Sequence, residues 1–322
     1  MIIARSLEEI PRQSGSVVTI GTFDGVHVAH QKIISDVVRR ARAADRRSVV
    51  VTFEPHPRHV LFHTRKSDQT HEEYQFRLLT PLPEKLRLFE AMGVDLVLVI
   101  PFTAAFAQTP FRDFYKTYII GGIGIAEVVE GYDHSFGKNR EAGSQELRDL
   151  GTEFGFAVSV EEPVAIGGIV VSSSRIRTAL YGGDVSAARK MLGRPYRIEG
   201  TVQLGDQRGR SLGFPTANLA VPTDEKLLPA NGVYAVKAGI GEEQYGGLLS
   251  IGVLPTFFES HLRQCEVYLF DFDGDLYDRE MRVDCIARIR EERKFASVPE
   301  LMREMEKDSY KGKILLSQSH LS

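Results

Sequence analysis

Short apolar runs alternate with helix-length amphipathic stretches through the first half of the chain. Val17-Val-Thr-Ile20, Val49-Val-Val-Thr-Phe53, Leu96 to Ile100, Ala126 to Glu130 and Phe156 to Val160 read as five strands. Between them, His30 to Ala44, Glu84 to Met92, Phe111 to Ile120 and Gln145 to Phe154 repeat apolar residues at helical spacing, with Gly93 and Gly121-Gly122 as stops. Ser6 and Glu9 have capping-box spacing and predict a short first helix. Buried strands alternating with helices imply a parallel sheet covered on both faces, which binds ligands at the carboxyl ends of its strands. His63 to Pro83 has no clear periodicity and reads as a long polar flap.

The pattern changes after Tyr181-Gly-Gly-Asp184. A short helical piece, Val185 to Leu192, precedes strand and turn segments at Arg197 to Val202, Gly232 to Ala238, Gly246 to Ile251, Gln264 to Phe270 and Met281 to Ile289. Asp273-Gly-Asp275 reads as a hairpin turn, and Ser297 with Glu300 caps a final helix. The expected fold class is therefore α/β: a Rossmann-like parallel-sheet domain over residues 1–184, then an antiparallel β-barrel domain with a final helix over 185–322.

Composition narrows the function classes. Net charge is −3 over 322 residues, which offers no global field for gripping nucleic acid. Apolar runs such as Asp95-Leu-Val-Leu-Val-Ile-Pro101 are strand-sized, and the amino-terminal segment lacks the features of a secretory signal, so a cytoplasmic protein with no membrane partner is expected. Cys265 and Cys285, both in strand-like segments, are expected to be separate buried thiols. Oligomeric state is open.

Candidate chemistry begins where the first strand meets the first helix, in GTFDGVHVAH, Gly21 to His30. Gly21 and Gly25 let backbone approach a ligand, and the helix start offers N–H groups and a positive dipole end to phosphate. His27 and His30, three apart, can face one side and donate to charge building on an α-phosphate and its leaving pyrophosphate. Two surface histidines at a helix cap fit the same spacing. A metal pair is the other alternative, without the glutamate of the helical zinc motif. His56, His59 and His63 also cluster, but no Cys or nearby carboxylate completes a metal set. Neither a P-loop ending in Gly-Lys-Ser/Thr nor a dinucleotide fingerprint at Gly122-Ile-Gly124 is present. Thr52-Phe-Glu-Pro-His-Pro57 follows the second strand, Gly131 to Gly143 the fourth, and Val171-Ser-Ser-Ser-Arg-Ile-Arg177 the fifth, its serines suited to capping and its arginines to phosphate.

In the second half, Gly205 to Asn218 carries glycines and arginines that suit phosphates, though a surface loop without ligand fits equally. Thr216 and Asn218 alternate onto one side of an extended chain, where hard neutral oxygens suit Mg²⁺ brought by ATP. Glu266, taken alone, is one more strand glutamate.

Together GTFDGVHVAH, TFEPHP, GYDHSFGKNREAG and VSSSRIR, then GRSLGFPTANL, LPANGVYAV, IGVLPTF, EVYLFDFDGDLY and IREERKF, resemble the bacterial bifunctional riboflavin kinase/FMN adenylyltransferases over about Val17 to Asp308. Ala29 and Ser174 stand where Gly and Thr are usual in that family. Ser250, Leu254 and Tyr268 stand where Asn is usual, a polar residue common and His usual. The resemblance implies an ATP-dependent transferase with riboflavin, FMN and ATP as partners, flavins as substrates and products, and Mg²⁺ with ATP. It would make FMN from riboflavin, then FAD from FMN with release of pyrophosphate. One activity alone, or flavin binding without turnover, are the alternatives.

Carried over by motif, Glu266 is the base for the riboflavin 5′-hydroxyl, and His27, His30 and Arg177 act in adenylyl transfer. Gly21, Phe23, Asp24, Gly25, Ser172, Ser173, Ser174, Gly205, Arg210 and Gly213 meet ATP or phosphate. Phe53, His56, Asp133 and Ser250 meet flavin, and Thr216 and Asn218 hold the metal.

Overall fold

The computed structural model describes residues 1–11, 13, 15–65, 76–132, 143–203, 214–222, 225–253 and 263–318. The chain forms two compact units, Met1–Val171 and Ser172–Ser322. The compositional break at Asp184 thus falls later than the packing boundary. In the second unit α6 (Ser173–Tyr181) is tied to the barrel segment by Ala230 N–H donating to Leu180 O at 2.8 Å.

In the first unit β1 (Ile2–Ala4), β2 (Ser16–Ile20), β3 (Ser48–Glu54), β4 (Leu96–Pro101), β5 (Ile125–Gly131) and β6 (Ala157–Glu161) form one parallel sheet in the order β1-β4-β3-β2-β5-β6. The five expected strands are all present. The first, β1, was hidden because three residues are too few for a period. The expected capping-box helix at Ser6 to Glu9 does not form. Glu9 instead accepts the Arg5 N–H at 2.8 Å and closes a turn off the end of β1.

Helices cover both faces. Ile34 and Val38 of α1 (Val28–Ala43) and Phe89 of α3 (Leu82–Ala91) pack on Val50, Val97 and Val99. The opposite face, with Val49, Val51, Leu96 and Leu98, is covered by two further elements. One is α4 (Phe111–Phe114), which continues as a π-helical stretch over Tyr115–Ile123. The other is α5 (Ser144–Phe154). Of the expected flap at His63 to Pro83, residues 66–75 lie outside the described residues; on either side of them α2 (Pro57–Arg65) runs into its start, Leu78, Leu79 and Thr80 are buried, and α3 begins at Leu82. A small antiparallel ribbon, β7 (Ala165–Ile166) with β8 (Ile169–Val170), ends the unit.

The second unit opens with α6 and α7 (Val185–Leu192), whose cap Asp184 accepts the Ala187 N–H at 2.8 Å. A closed antiparallel barrel follows, built from β9 (Tyr196–Gln203), β10 (Thr216–Ala220), β11 (Gly232–Ile240), β12 (Glu243–Val253), β13 (Arg263–Leu269) and β14 (Glu280–Glu291), in the order β10-β13-β12-β11-β14-β9. Because β13 and β14 are not neighbours, Asp273-Gly-Asp275 is not a hairpin turn; it lies in the longer connection 270–279. The final helix α8 (Val298–Gln318) packs Leu316 against Val233, Leu248 and Phe270 on the outside of the barrel. Its cap is as expected: Ser297 Oγ accepts the Glu300 N–H at 3.4 Å. Cys265 and Cys285 are free buried thiols, and burial pushes Cys265 up to about 12. Among the described residues no helix is long and apolar enough to cross a membrane.

Candidate functional sites

In the first unit the loops after β3, β2 and β5 leave the carboxyl ends of three adjacent strands. The Gly21 to His30 turn is tightly wound. Phe23, Gly25 and Val26 have φ of 47°, 90° and 39°, a region that only glycine enters without strain. The Phe23 ring folds back over Gly21, where a Cβ would lie 3.1 Å from it. Such a turn must be held from outside, and three contacts do so. Asp24, 2% exposed, accepts the Leu79 and Thr80 N–H groups at 2.9 and 3.2 Å. Lys85 of α3, also 2% exposed, donates from Nζ to Thr22 O at 2.8 Å. Gln31 Nε2 donates to Val26 O at 2.7 Å.

The turn delivers two imidazoles face to face. His27 is the N-cap of α1, its Nδ1 accepting the His30 N–H at 3.4 Å, and the rings stack 3.6 Å apart with an 18° tilt. Phe23 meets His30 edge-on at 5.3 Å. Among the described residues His30 Nδ1 is shielded and without a hydrogen-bond partner. Burial first, then the charges of His27 and Lys85, hold His30 well below the usual imidazole range, so it is neutral near pH 7. A strained turn, a helix start and two adjacent imidazoles can bind a phosphate and donate N–H bonds to it.

The other expected residues of this unit divide. Asp24 faces inward and anchors the loop. Phe53, 3% exposed, packs its ring against Phe102 and Phe106 at 5.7 and 6.0 Å. His56 accepts the Arg58 N–H at 3.1 Å and packs on Phe76 with His59. No group of three or more His, Cys, Asp or Glu that could hold a metal occurs among the described residues. Asp133, Gly205, Arg210 and Gly213 lie outside the described residues.

In the second unit Ser172 caps α6, accepting the Arg175 N–H at 3.4 Å. Ser173 and Ser174 form its first turn, and Arg177, largely buried, donates from Nη1 to Ser173 O at 3.4 Å.

The barrel registers bring together residues far apart in sequence. Glu266 on β13 is paired with Asn218 on β10 and with Ser250 on β12, so the three form one row across three strands. One pleat along, Thr216 and Leu248 flank Tyr268. Thr216 Oγ1 donates to Glu266 Oε2 at 3.5 Å, and Gln264 Nε2 donates to Asn218 Oδ1. Strand alternation explains the exposure: Cys265, Val267 and Leu269 are buried, whereas Gln264, Glu266 and Tyr268 are half-buried.

Glu266 and Ser250 of this row, with Thr216, face a cavity of about 320 Å³. Val233, Leu248 and Tyr268 line one wall, Leu301, Met305 and Asp308 of α8 another, and Arg290, Arg293 and Phe295 the link between them. Arg290 and Arg293 lie over the Phe295 ring at 5.4 and 4.8 Å. Arg290 Nε donates to Asp308 Oδ2 at 2.9 Å, and burial still pushes the Asp308 carboxyl up. Thr216 also lines a second cavity of about 600 Å³, between β10 and the segment Phe272 to Tyr277. An acidic oxygen beside two neutral oxygens, flanked by a room for a flat apolar group and a second, more polar room, suits transfer between two bound molecules.

Sequence reasoning missed Lys85 and the Arg290–Asp308 pair. Lys85 had a signal: it falls three after Leu82 and four before Phe89, on the buried stripe of α3.

The FAD synthetase family model matches residues 9–175, and the riboflavin kinase model matches residues 192–316. The chain is 38% identical over 92% of its length to the bifunctional riboflavin kinase/FMN adenylyltransferase of Bacillus subtilis, covering 91% of that protein. It is 36% identical to that of Listeria monocytogenes over 91% of this chain and 90% of the other. A crystal structure described as a macrolide-efflux protein from Streptococcus pneumoniae superposes with a TM-score of 0.85 at 32% identity, over 97% of this chain and 98% of that one.

Proposed function

The chain belongs to the bifunctional riboflavin kinase/FMN adenylyltransferases, ATP-dependent transferases that make FMN and then FAD, and from that premise we propose how its residues divide the work. Residues 185–322 carry the kinase and residues 1–184 the adenylyltransferase. The observation that carries the kinase reading is the Asn218–Glu266–Ser250 row with Thr216 bonded to Glu266.

In the kinase step the flavin ring takes the cavity under α8, whose apolar walls and Phe295 suit a flat aromatic group, with Ser250 at its edge. Glu266 accepts the proton of the riboflavin 5′-hydroxyl as that oxygen bonds to the γ-phosphorus of ATP, and ADP leaves. Gly205, Arg210 and Gly213 belong to the segment that meets ATP. The neutral oxygens of Thr216 and Asn218 beside a carboxylate fit a hard cation, so these two residues would hold Mg²⁺ carried by ATP. Bound there, Mg²⁺ would neutralise phosphate charge.

In the second step a phosphate oxygen of FMN bonds to the α-phosphorus of ATP and pyrophosphate leaves. The Gly21, Phe23 and Gly25 backbone and the start of α1 cradle phosphate. His27 and neutral His30 donate N–H bonds to the developing charge. Asp24 acts by fixing the loop. Ser172, Ser173, Ser174 and Arg177 serve phosphate, while Phe53, His56 and Asp133 serve the flavin side. Two free buried thiols suit a cytoplasmic setting.

Incubation with riboflavin and Mg-ATP, followed by chromatography of the flavins, tests the pair of activities. FMN and then FAD are expected. FMN without FAD would overturn the reading of the first unit, and unchanged riboflavin that of the second.

A further inference from the structure

The Gly21 to His30 turn is built from backbone that resists its own shape, with Phe23 and Val26 at positive φ. A phosphate site needs this shape before the ligand arrives, since a loop that must be ordered on binding weakens affinity and misplaces donors. What holds the turn is therefore part of the chemistry. Lys85 is the unusual holder. A lysine at 2% exposure has left water, a large cost for an ammonium unless it is paired. Here it meets the Thr22 carbonyl at 2.8 Å and faces the carboxylates of Asp24 and Glu54.

We propose that Lys85 is a positioning residue for adenylyl transfer: its ammonium fixes the Thr22 peptide at the root of the phosphate turn and presents a positive charge to His30. The inference rests on the reading of Gly21 to His30 as the adenylyl-transfer site. A carbonyl of the turn alone could be held by any donor, and a neutral one would be cheaper to bury. The positive charge adds something a neutral donor lacks. His30 is faced by His27 from its own turn and by Lys85 from α3, and both disfavour a proton on the ring. Asp24 from the turn and Glu54 from the end of β3 face Lys85 and are balanced by it. A neutral imidazole keeps its lone pair available to an N–H or to substrate and stays in one state across the physiological range.

Removing the Lys85 charge makes His30 easier to protonate. The His30 pKa rises, so the acid-side fall of adenylyl transfer moves to higher pH.

The experiment uses the full chain, with FMN and Mg-ATP as substrates, and compares Lys85→Met, Lys85→Gln and Val94→Ala. Val94 belongs to the same buried cluster and has no polar side-chain atom to offer the turn. In Lys85→Met both the bond and the charge are gone: the KM for ATP should rise and the acid limb should move to higher pH. Lys85→Gln can still donate to Thr22, so its KM should recover while the limb stays shifted. Val94→Ala should lower thermal stability and leave the limb in place. Riboflavin phosphorylation by the same preparations reports the other unit and should not change. A limb and KM unchanged in both Lys85 variants, or a limb that moves equally in Val94→Ala, overturns the proposal. If Lys85→Met fails to fold, the limb of Lys85→Gln decides alone. His30→Ala run beside them separates this inference from its premise: it should slow adenylyl transfer by about 10²–10³-fold. If it does not, the site reading itself has failed.

Discussion

Glu266 sits between a threonine and two neutral polar residues, and its neighbours determine what a substitution there means. Glu266→Gln keeps the size and most hydrogen bonds of the side chain, so Thr216 keeps a partner and the barrel row stays intact. What it loses is the ability to take a proton. Riboflavin phosphorylation should fall by roughly 10²–10⁴-fold, the span of a positioned base, while adenylylation of supplied FMN is unchanged. Two rates on one variant check this, and a kinase rate within a few-fold of the parent would remove Glu266 from the chemistry. Residue identity in the first unit was equally informative and equally incomplete. The histidines at 27 and 30 were legible as a pair; that they stack at 3.6 Å was not. Asp24 was legible as part of the motif, but its inward aim toward Leu79 and Thr80 depends on a segment more than fifty residues away in sequence.

Among the elements, α8 links stability to substrate binding. Leu316 anchors its carboxyl-terminal end on Leu248 and Phe270, and Leu301, Met305 and Asp308 on its earlier turns form a wall of the cavity. Leu316→Ala should cost the second unit about 2–5 kcal/mol, as large-to-small core changes do. The loosened wall should raise the KM for riboflavin more than the KM for ATP. Thermal unfolding and kinase kinetics measure both, and an unchanged riboflavin KM in a destabilised variant would separate α8 from the flavin. Elements with a long period were the ones legible beforehand: α1, α3, α5 and five barrel strands. The short α7 was legible too, but two short strands were not: β1 has three residues, and β10 lies between Pro215 and Pro222, so each owes its pairing to a neighbouring strand rather than to its own pattern.

At the scale of the molecule, two cores imply two independently folding parts. The packing boundary at Val171 and Ser172 and the compositional break at Asp184 differ by one helix, α6. Residues 172–322 expressed alone should fold and phosphorylate riboflavin without making FAD. A shorter piece from Val185 should be less stable, because it loses Leu180, whose carbonyl accepts the Ala230 N–H, and Gly182, whose carbonyl accepts from Arg288 at 3.2 Å. Comparing their melting temperatures and kinase rates tests this: equal stability would make α6 dispensable to the barrel, and an inactive, folded 172–322 would refute the independence of the kinase.

The sequence by itself determined the fold class, the change of pattern after Asp184 and the motif residues on which the two chemistries depend. These properties are local: a period, a glycine where backbone must turn, a hydroxyl every second residue of a strand. Only tertiary structure decided which of those residues meet. Glu266 faces Asn218 and Ser250 because barrel closure sets the register of β13 against β10 and β12. Lys85 reaches Thr22 because the packing of α3 against the sheet carries one ammonium of its buried stripe to the phosphate turn. Periodicity says which side of an element faces inward; it carries no information on which other inward-facing side chain will be there, since that depends on all elements closing around one core at once.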